Sequence, residues 1–187
     1  MRPTRIADPA ESVLTLADAK LHLRVDSSDE DAYITSLIAA AEAYLDGRAG
    51  ILGRCMVTQT WRYKLASLPA LVPLGMPDAQ SVTGTYLDAA GDTQAVSDLS
   101  VREEASGAVL VYAGDALTFD ADEDYPVTVD VVFGFGGASA VPGPLLHAVR
   151  VLVGHWYEVR TSAAETPYRE VPMAFHSLIS AYRWLRL

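Results

Sequence analysis

Val127-Thr128-Val129-Asp130-Val131-Val132-Phe133-Gly134-Phe135-Gly136-Gly137-Ala138-Ser139-Ala140-Val141-Pro142-Gly143-Pro144-Leu145 carries the change of period on which the fold turns. Val127, Val129, Val131, Phe133 and Phe135 alternate with Thr128, Asp130, Val132 and Gly134, the period of a strand with one buried face. Pro142 and Pro144 then open a helix, because a proline in a first turn gives up an N–H that has no helical acceptor. In that helix Leu145, Val149, Leu152, Trp156 and Val159 repeat at spacings of four and three, a packed apolar face. A strand run therefore ends here and a helical run begins. The absence of strand–helix alternation argues against a doubly wound α/β fold.

Working back from this junction, the spacing predicts short strands at Ala108 to Tyr112, Leu99 to Arg102 and Ser81 to Leu87, with Asp88-Ala89-Ala90-Gly91-Asp92 as a hairpin loop. Before them Val57, Trp61, Tyr63 and Leu65 lie opposite Thr58, Thr60, Arg62 and Lys64, a half-buried strand. Further back the period is helical. Thr15 caps a short helix through Leu16, Ala19, Leu21 and Leu23 that ends near Val25. Ser27 with Glu30, or Ser28 with Asp31, offers a capping box for a second helix whose Ile34, Leu37, Ile38, Ala41 and Leu45 share a face until Gly47. Beyond the junction, a polar interval from Arg160 to Glu170 precedes a last helix after Pro172, with Phe175, Leu178, Ile179, Tyr182 and Leu185 on one face, running almost to Leu187. The expected class is α+β, with terminal α-helices forming a bundle and an antiparallel β-rich unit inserted between them. The expected segments are 1–53 for the N-terminal helices, 54–137 for the β-rich insertion and 138–187 for the C-terminal helices.

The chain has 187 residues, half of them hydrophobic, and a net charge of −10. That is enough for a real core and too apolar for a disordered chain. The charge is unevenly placed: from Leu65 to Val149 there are twelve Asp and Glu against one base, Arg102. A surface of that sign repels phosphate backbones, which argues against high-affinity nucleic-acid binding by the middle of the chain. With no long apolar run and no apolar signal core after Met1-Arg2-Pro3-Thr4-Arg5, a soluble, intracellular product without a membrane span is expected. The single cysteine, Cys55, excludes an internal disulfide and a cysteine-built zinc site, and reads as a buried or half-buried thiol.

Patterns that carry chemistry fail on detail. Gly134-Phe135-Gly136-Gly137 lies between strand and helix, where a dinucleotide loop would lie. Position 139 is serine, the helix starts only after two prolines, and no βαβ unit follows, so a tight connection is the better reading. His155 and Glu158 have the spacing of a carboxylate–histidine metal helix, with His147 on the same helix. The last helix offers only His176 and no carboxylate to complete the site. Asp120-Ala121-Asp122-Glu123-Asp124 lacks the glycine and terminal glutamate of a calcium loop and reads as a solvated acidic loop. No lysine phosphate loop, nucleophile elbow or His-Glu-x-x-His pattern occurs. No enzyme activity, cofactor or metal is expected.

Leu16-Ala17-Asp18-Ala19-Lys20-Leu21-His22-Leu23-Arg24-Val25-Asp26, followed by Asp29-Glu30-Asp31-Ala32-Tyr33-Ile34 and Ala39-Ala40-Ala41-Glu42-Ala43-Tyr44-Leu45, closely resembles the opening of head-tail connector (adaptor) proteins of tailed bacteriophages and phage-like gene transfer agents. Phe133-Gly134, Val141-Pro142 with Leu145 and Ala148, Trp156-Tyr157-Glu158, Val171-Pro172 and Ala181-Tyr182-Arg183 agree with it in order. The resemblance covers 14–53 and 127–187; the strand-rich middle is not matched. It implies a structural adaptor in a ring, dodecameric in the particle, beneath the portal protein and above a tail or stopper protein. DNA would pass through its channel without specific binding. Such a protein would be cytoplasmic during assembly and then sit at the head-tail junction of a virion or phage-like particle.

Tyr182, Arg183, Trp184, Leu185, Arg186 and Leu187 combine aromatic, arginine and aliphatic anchors and are expected to dock on the portal. The competing reading is that Trp184 and Leu187 complete the bundle core. Asp120, Asp122, Glu123 and Asp124 are expected to form a DNA-repelling surface. The alternative function is a monomeric ligand- or protein-binding module whose β-rich insertion carries the activity.

Overall fold

The computed structural model describes residues 3–159 and 173–184. Its elements run β1 (Thr4–Ala7), α1 (Leu16–Leu23), α2 (Asp31–Leu45), β2 (Gln59–Leu65), β3 (Leu71–Pro73), β4 (Ala79–Leu87), β5 (Thr93–Ala95), β6 (Leu99–Glu104), β7 (Gly107–Tyr112), β8 (Val127–Phe133), a 3-10 turn (Ala138–Ala140), α3 (Gly143–Glu158) and α4 (Met173–Ser180). The class is α+β. The described residues gather into a strand unit, built from the chain up to Ala10 and from Thr58–Phe135, and a helical unit, built from Glu11–Val57 and the chain after Gly136.

In the strand unit every pairing is antiparallel, in a five-stranded sheet of order β1-β2-β8-β4-β5 and a three-stranded sheet of order β3-β7-β6. β8 is central because its alternation supplies a complete buried face: Val127, Val129, Val131 and Phe133 are each 0% exposed, while Thr128, Asp130 and Val132 are half-buried. Each such side chain contributes about 1.5–3 kcal/mol by leaving water. Opposite Asp130 on β2 stands Arg62, joined to it by two hydrogen bonds of 2.7 and 2.8 Å. The buried Tyr63 ring lies 6.4 Å from that of Phe133, and its hydroxyl donates to the Leu74 carbonyl at 3.0 Å, which removes the cost of a buried polar group. β4 runs close to β6, and Gly84 makes room there: a Cβ would lie 2.5 Å from Leu99 Cδ1.

Three strands were not expected. β1, β3 and β5 have four, three and three residues, and all of β1 and β5 is exposed, so no buried alternation announces them. The N-terminal segment, expected to hold helices, thus also supplies a strand to the sheet, with Thr4 opposite Arg62.

In the helical unit, Thr15 accepts from the Asp18 N–H at 3.1 Å and starts α1 as expected. The expected capping box on α2 is absent. The helix starts at Asp31, and no side chain caps its first turn. Both carboxylates are engaged elsewhere: Asp31 with the Lys20 ammonium at 2.6 Å, and Glu30 with the Tyr157 hydroxyl. Ile34, Ile38, Ala41 and Leu45 of α2 and Leu145, Ala148, Val149, Leu152 and Val153 of α3 form the buried faces, joined by Phe175 and Ile179 of α4. Glu42 accepts from the backbone N–H groups of Val13 and Leu14 at 2.7 and 3.1 Å and from the Ser12 hydroxyl at 2.5 Å, which ties the approach to α1 onto α2.

Two helix ends differ from expectation. α3 stops at Glu158, leaving Val159 42% exposed instead of on the packed stripe. α4 stops at Ser180 rather than near Leu187. The N–H groups of Tyr182 and Arg183 both return to the Ile179 carbonyl, and the Trp184 N–H leaves for the Leu52 carbonyl at 2.7 Å. The interval 160–170 lies outside the described residues.

Candidate interaction surfaces

The C-terminal tail is positioned by backbone contacts. Its Trp184 carbonyl lies where a Cβ on Gly53 would be only 2.6 Å away, and Gly53 has φ +65°, a conformation that glycine adopts without strain. Together with the hydrogen bond to Leu52, this seats the chain at Trp184 on the turn after α2. Tyr182 and Trp184 are half-buried and Arg183 is exposed. Leu185, Arg186 and Leu187, the rest of the expected portal anchor, lie outside the described residues. Half-burial of Trp184 leaves part of the residue exposed beside the turn after α2.

The expected acidic surface falls on one loop system of the strand unit. Asp122, Glu123 and Asp124 are exposed and Asp120 is half-buried. The Asp120 carboxylate accepts from the Asp122 N–H at 2.9 Å, turning the loop so that the acids that follow point to water. The β4–β5 hairpin loop adjoins it, since a Cβ on Gly91 would lie 3.5 Å from Asp120 Oδ2. In that hairpin Asp88 accepts from Gln94 Nε2 at 2.8 Å and from the Ala90 and Asp92 N–H groups at 3.0 Å each. The Gln94 side chain first, then these two N–H groups, hold its pKa below the ordinary carboxylate value.

An aromatic surface between α2 and α3 was missed. Tyr44 packs edge-on against Trp156 with centroids 5.9 Å apart, and Tyr33 lies 6.1 Å from Tyr157. Tyr44 remains 44% exposed. The available signal was the Tyr33–Tyr44 separation, about three helical turns, which puts both rings on one side of α2.

The glycine-rich connection at 134–137 is already occupied by the chain itself. At the glycine loop a carboxylate already stands where a phosphate cradle would need its anion: Glu11 Oε1 accepts from the Ala138 N–H at 2.7 Å and lies 2.8 Å from a Cβ built on Gly137. Gly134 and Gly136 have φ of +128° and +129°, so these glycines turn the chain. No group of three metal-ligating side chains occurs among the described residues. Cys55 is fully buried. No helix among the described residues is long and apolar enough to cross a membrane.

Residues 13–92 match the family model of phage gp6-like head-tail connector proteins. No curated protein matches the chain. Among solved structures, a chain in the neck of an empty GTA particle computed with C6 symmetry is 25% identical, with 100% of this chain and 97% of that chain covered and a TM-score of 0.76. Chains of the virion of a native gene transfer agent particle and of the neck of a native GTA particle computed with C12 symmetry share the fold. They have identities of 24% and 22%, TM-scores of 0.74 and 0.70, and the same coverage.

Proposed function

With its connector-family match over 13–92 and its full-length likeness to a chain of a particle neck, we propose that this protein is a structural head-tail adaptor, a ring subunit in the neck of a phage-like particle. That paired likeness is the observation that carries the reading. A ring needs two unlike side surfaces on each subunit, and an α+β chain whose two units differ in charge supplies them. The portal protein is its partner above and a tail or stopper protein its partner below. The tail from Tyr182 onward docks on the portal, and the acidic loops at 120–124 keep the free subunit from adhering to DNA. The subunit works without catalysis, is made in the cytoplasm and ends in the particle.

Electron microscopy of the protein mixed with its portal tests this. A ring of copies beneath the portal is expected; a monomer that leaves the portal bare overturns the reading and returns the β-rich unit as a binding module. Removing 181–187 should abolish portal attachment while the rest of the chain still melts cooperatively, at a lower temperature because the Trp184 seat is lost. Loss of folding instead would assign the tail to the core. Charge reversal at Asp120, Asp122 and Asp124 should let the free subunit bind duplex DNA at low salt, and no binding would remove the repelling role.

A further inference from the structure

α1 meets α3 at a glycine. A Cβ on Gly154 would lie 3.3 Å from His22 Nε2 and 4.0 Å from Leu23 Cδ2, so the missing side chain leaves the seat that the His22 ring takes. Glycine inside a helix costs about 1 kcal/mol relative to alanine, and here that cost goes with close helix approach. One and two turns before Gly154 stand Arg150 and His147. Desolvation of the His22 ring first, then His147 and Arg150, hold its pKa below the ordinary imidazole value. The ion pairs Arg5–Asp8, Lys20–Asp31, Arg62–Asp130 and Arg102–Glu104 involve none of these three side chains. His22 and His147 are exposed and Arg150 is half-buried. Such a face gains from an anionic neighbour.

The complementary surface is on the same chain. The loops at 88–92 and 120–124 adjoin, Asp122, Glu123 and Asp124 are exposed, and they belong to the segment with twelve acids and one base. We propose that the His22–His147–Arg150 face of α1 and α3 receives the acidic loops of a second copy of the chain. A contact between two unlike patches is heterologous: each bound copy offers the next one a free patch, so the contact propagates around a ring. The ring geometry rests on the neck reading, whereas the contact itself is testable on the protein alone.

Sedimentation velocity over a concentration series, at low and at high salt, measures it. Arg150→Glu is expected to weaken self-association at least about tenfold at low salt, and Asp122→Lys with Glu123→Lys to do the same. Combining the three changes in one chain should restore most of the loss, because the reversed charges again face each other. Mixing His147→Cys with Asp122→Cys should give a cross-link between unlike copies in excess over either self-pair, while the buried Cys55 takes no part. Melting curves of each variant separate lost association from lost folding. Undiminished association of Arg150→Glu overturns the proposal, as does failure of both association and the cross-link. Binding of duplex DNA that Arg150→Glu abolishes would assign the face to phosphates and overturn it too. Portal-bound rings that form equally well with Arg150→Glu would leave the neck reading standing and remove only this interface.

Discussion

The strand unit and the helical unit solve the same problem, burying one face of each element, with opposite habits of sequence. In the strand unit a central strand buries every second residue and pairs on both edges, so its order comes from partners far away in the chain. In the helical unit the buried faces recur every three or four residues, and precision comes from single atoms: the Thr15 hydroxyl, the Glu42 carboxylate, and the hydrogen that stands for a side chain at Gly53 and Gly154. Charge divides along the same line, since the acidic excess belongs to the strand-rich middle while the rest of the sequence is nearly balanced. Paired strands carry the acidic middle of the chain, and the Asp88 and Asp120 carboxylates pin its loops.

The comparison breaks most visibly through the cores. Tyr63→Ala removes a buried ring and its hydrogen bond to Leu74 and should cost about 3–5 kcal/mol. Leu152→Ala in α3 should cost about 2–5 kcal/mol. Amide exchange distinguishes the two: each change should lower protection first in its own unit, and equal loss in both units after either change would contradict the division. Gly53→Ala forces a positive φ on a residue with a Cβ and presses on the Trp184 carbonyl. A loss of about 1–3 kcal/mol and faster proteolysis of the tail are expected, and a stability loss with unchanged proteolysis would show that the tail seat is incidental. Thr15→Ala should cost about 1 kcal/mol by thermal melting, with a loss near zero counting against the cap. The smallest effect belongs to Asp88. Its folded pKa lies below the ordinary value, so its contribution is present above the ordinary carboxylate range and is lost as pH falls through the depressed value. Asp88→Asn should flatten that acid-side loss of hairpin protection; an unchanged pH profile would show that the loop holds without the charge.

Most of the helices and the long strands are legible because burial writes a period into them: the alternation from Val127 to Phe135 marks β8, which ends at Phe133, and the stripe from Leu145 to Val159 marks α3, which ends at Glu158. What burial does not write was missed. β1 and β5 are exposed along their length, and β3 sits among Pro69, Pro73 and Pro77, which read as punctuation. The α2 cap was misread because Ser27, Ser28, Glu30 and Asp31 fit a local motif, whereas Lys20 and Tyr157 claim the two carboxylates from other elements. The candidate surfaces divide the same way. An acidic loop is visible as composition, but the meeting of Trp184 with Gly53, or of His22 with Gly154, joins residues whose separation in sequence hides them.

The strand Thr4–Ala7 also has a consequence in time. Synthesis delivers it early, yet its sheet partner among the described residues, Gln59–Leu65, emerges after α1 and α2, and the central strand Val127–Phe133 later still. A ribosome-bound chain can therefore complete α1 and α2 while its first residues wait unpaired, and the five-stranded sheet closes only once Phe133 is out. Fusions placed ahead of Thr4 would be felt at that last step, as slow closure of the sheet, long before any helix is disturbed.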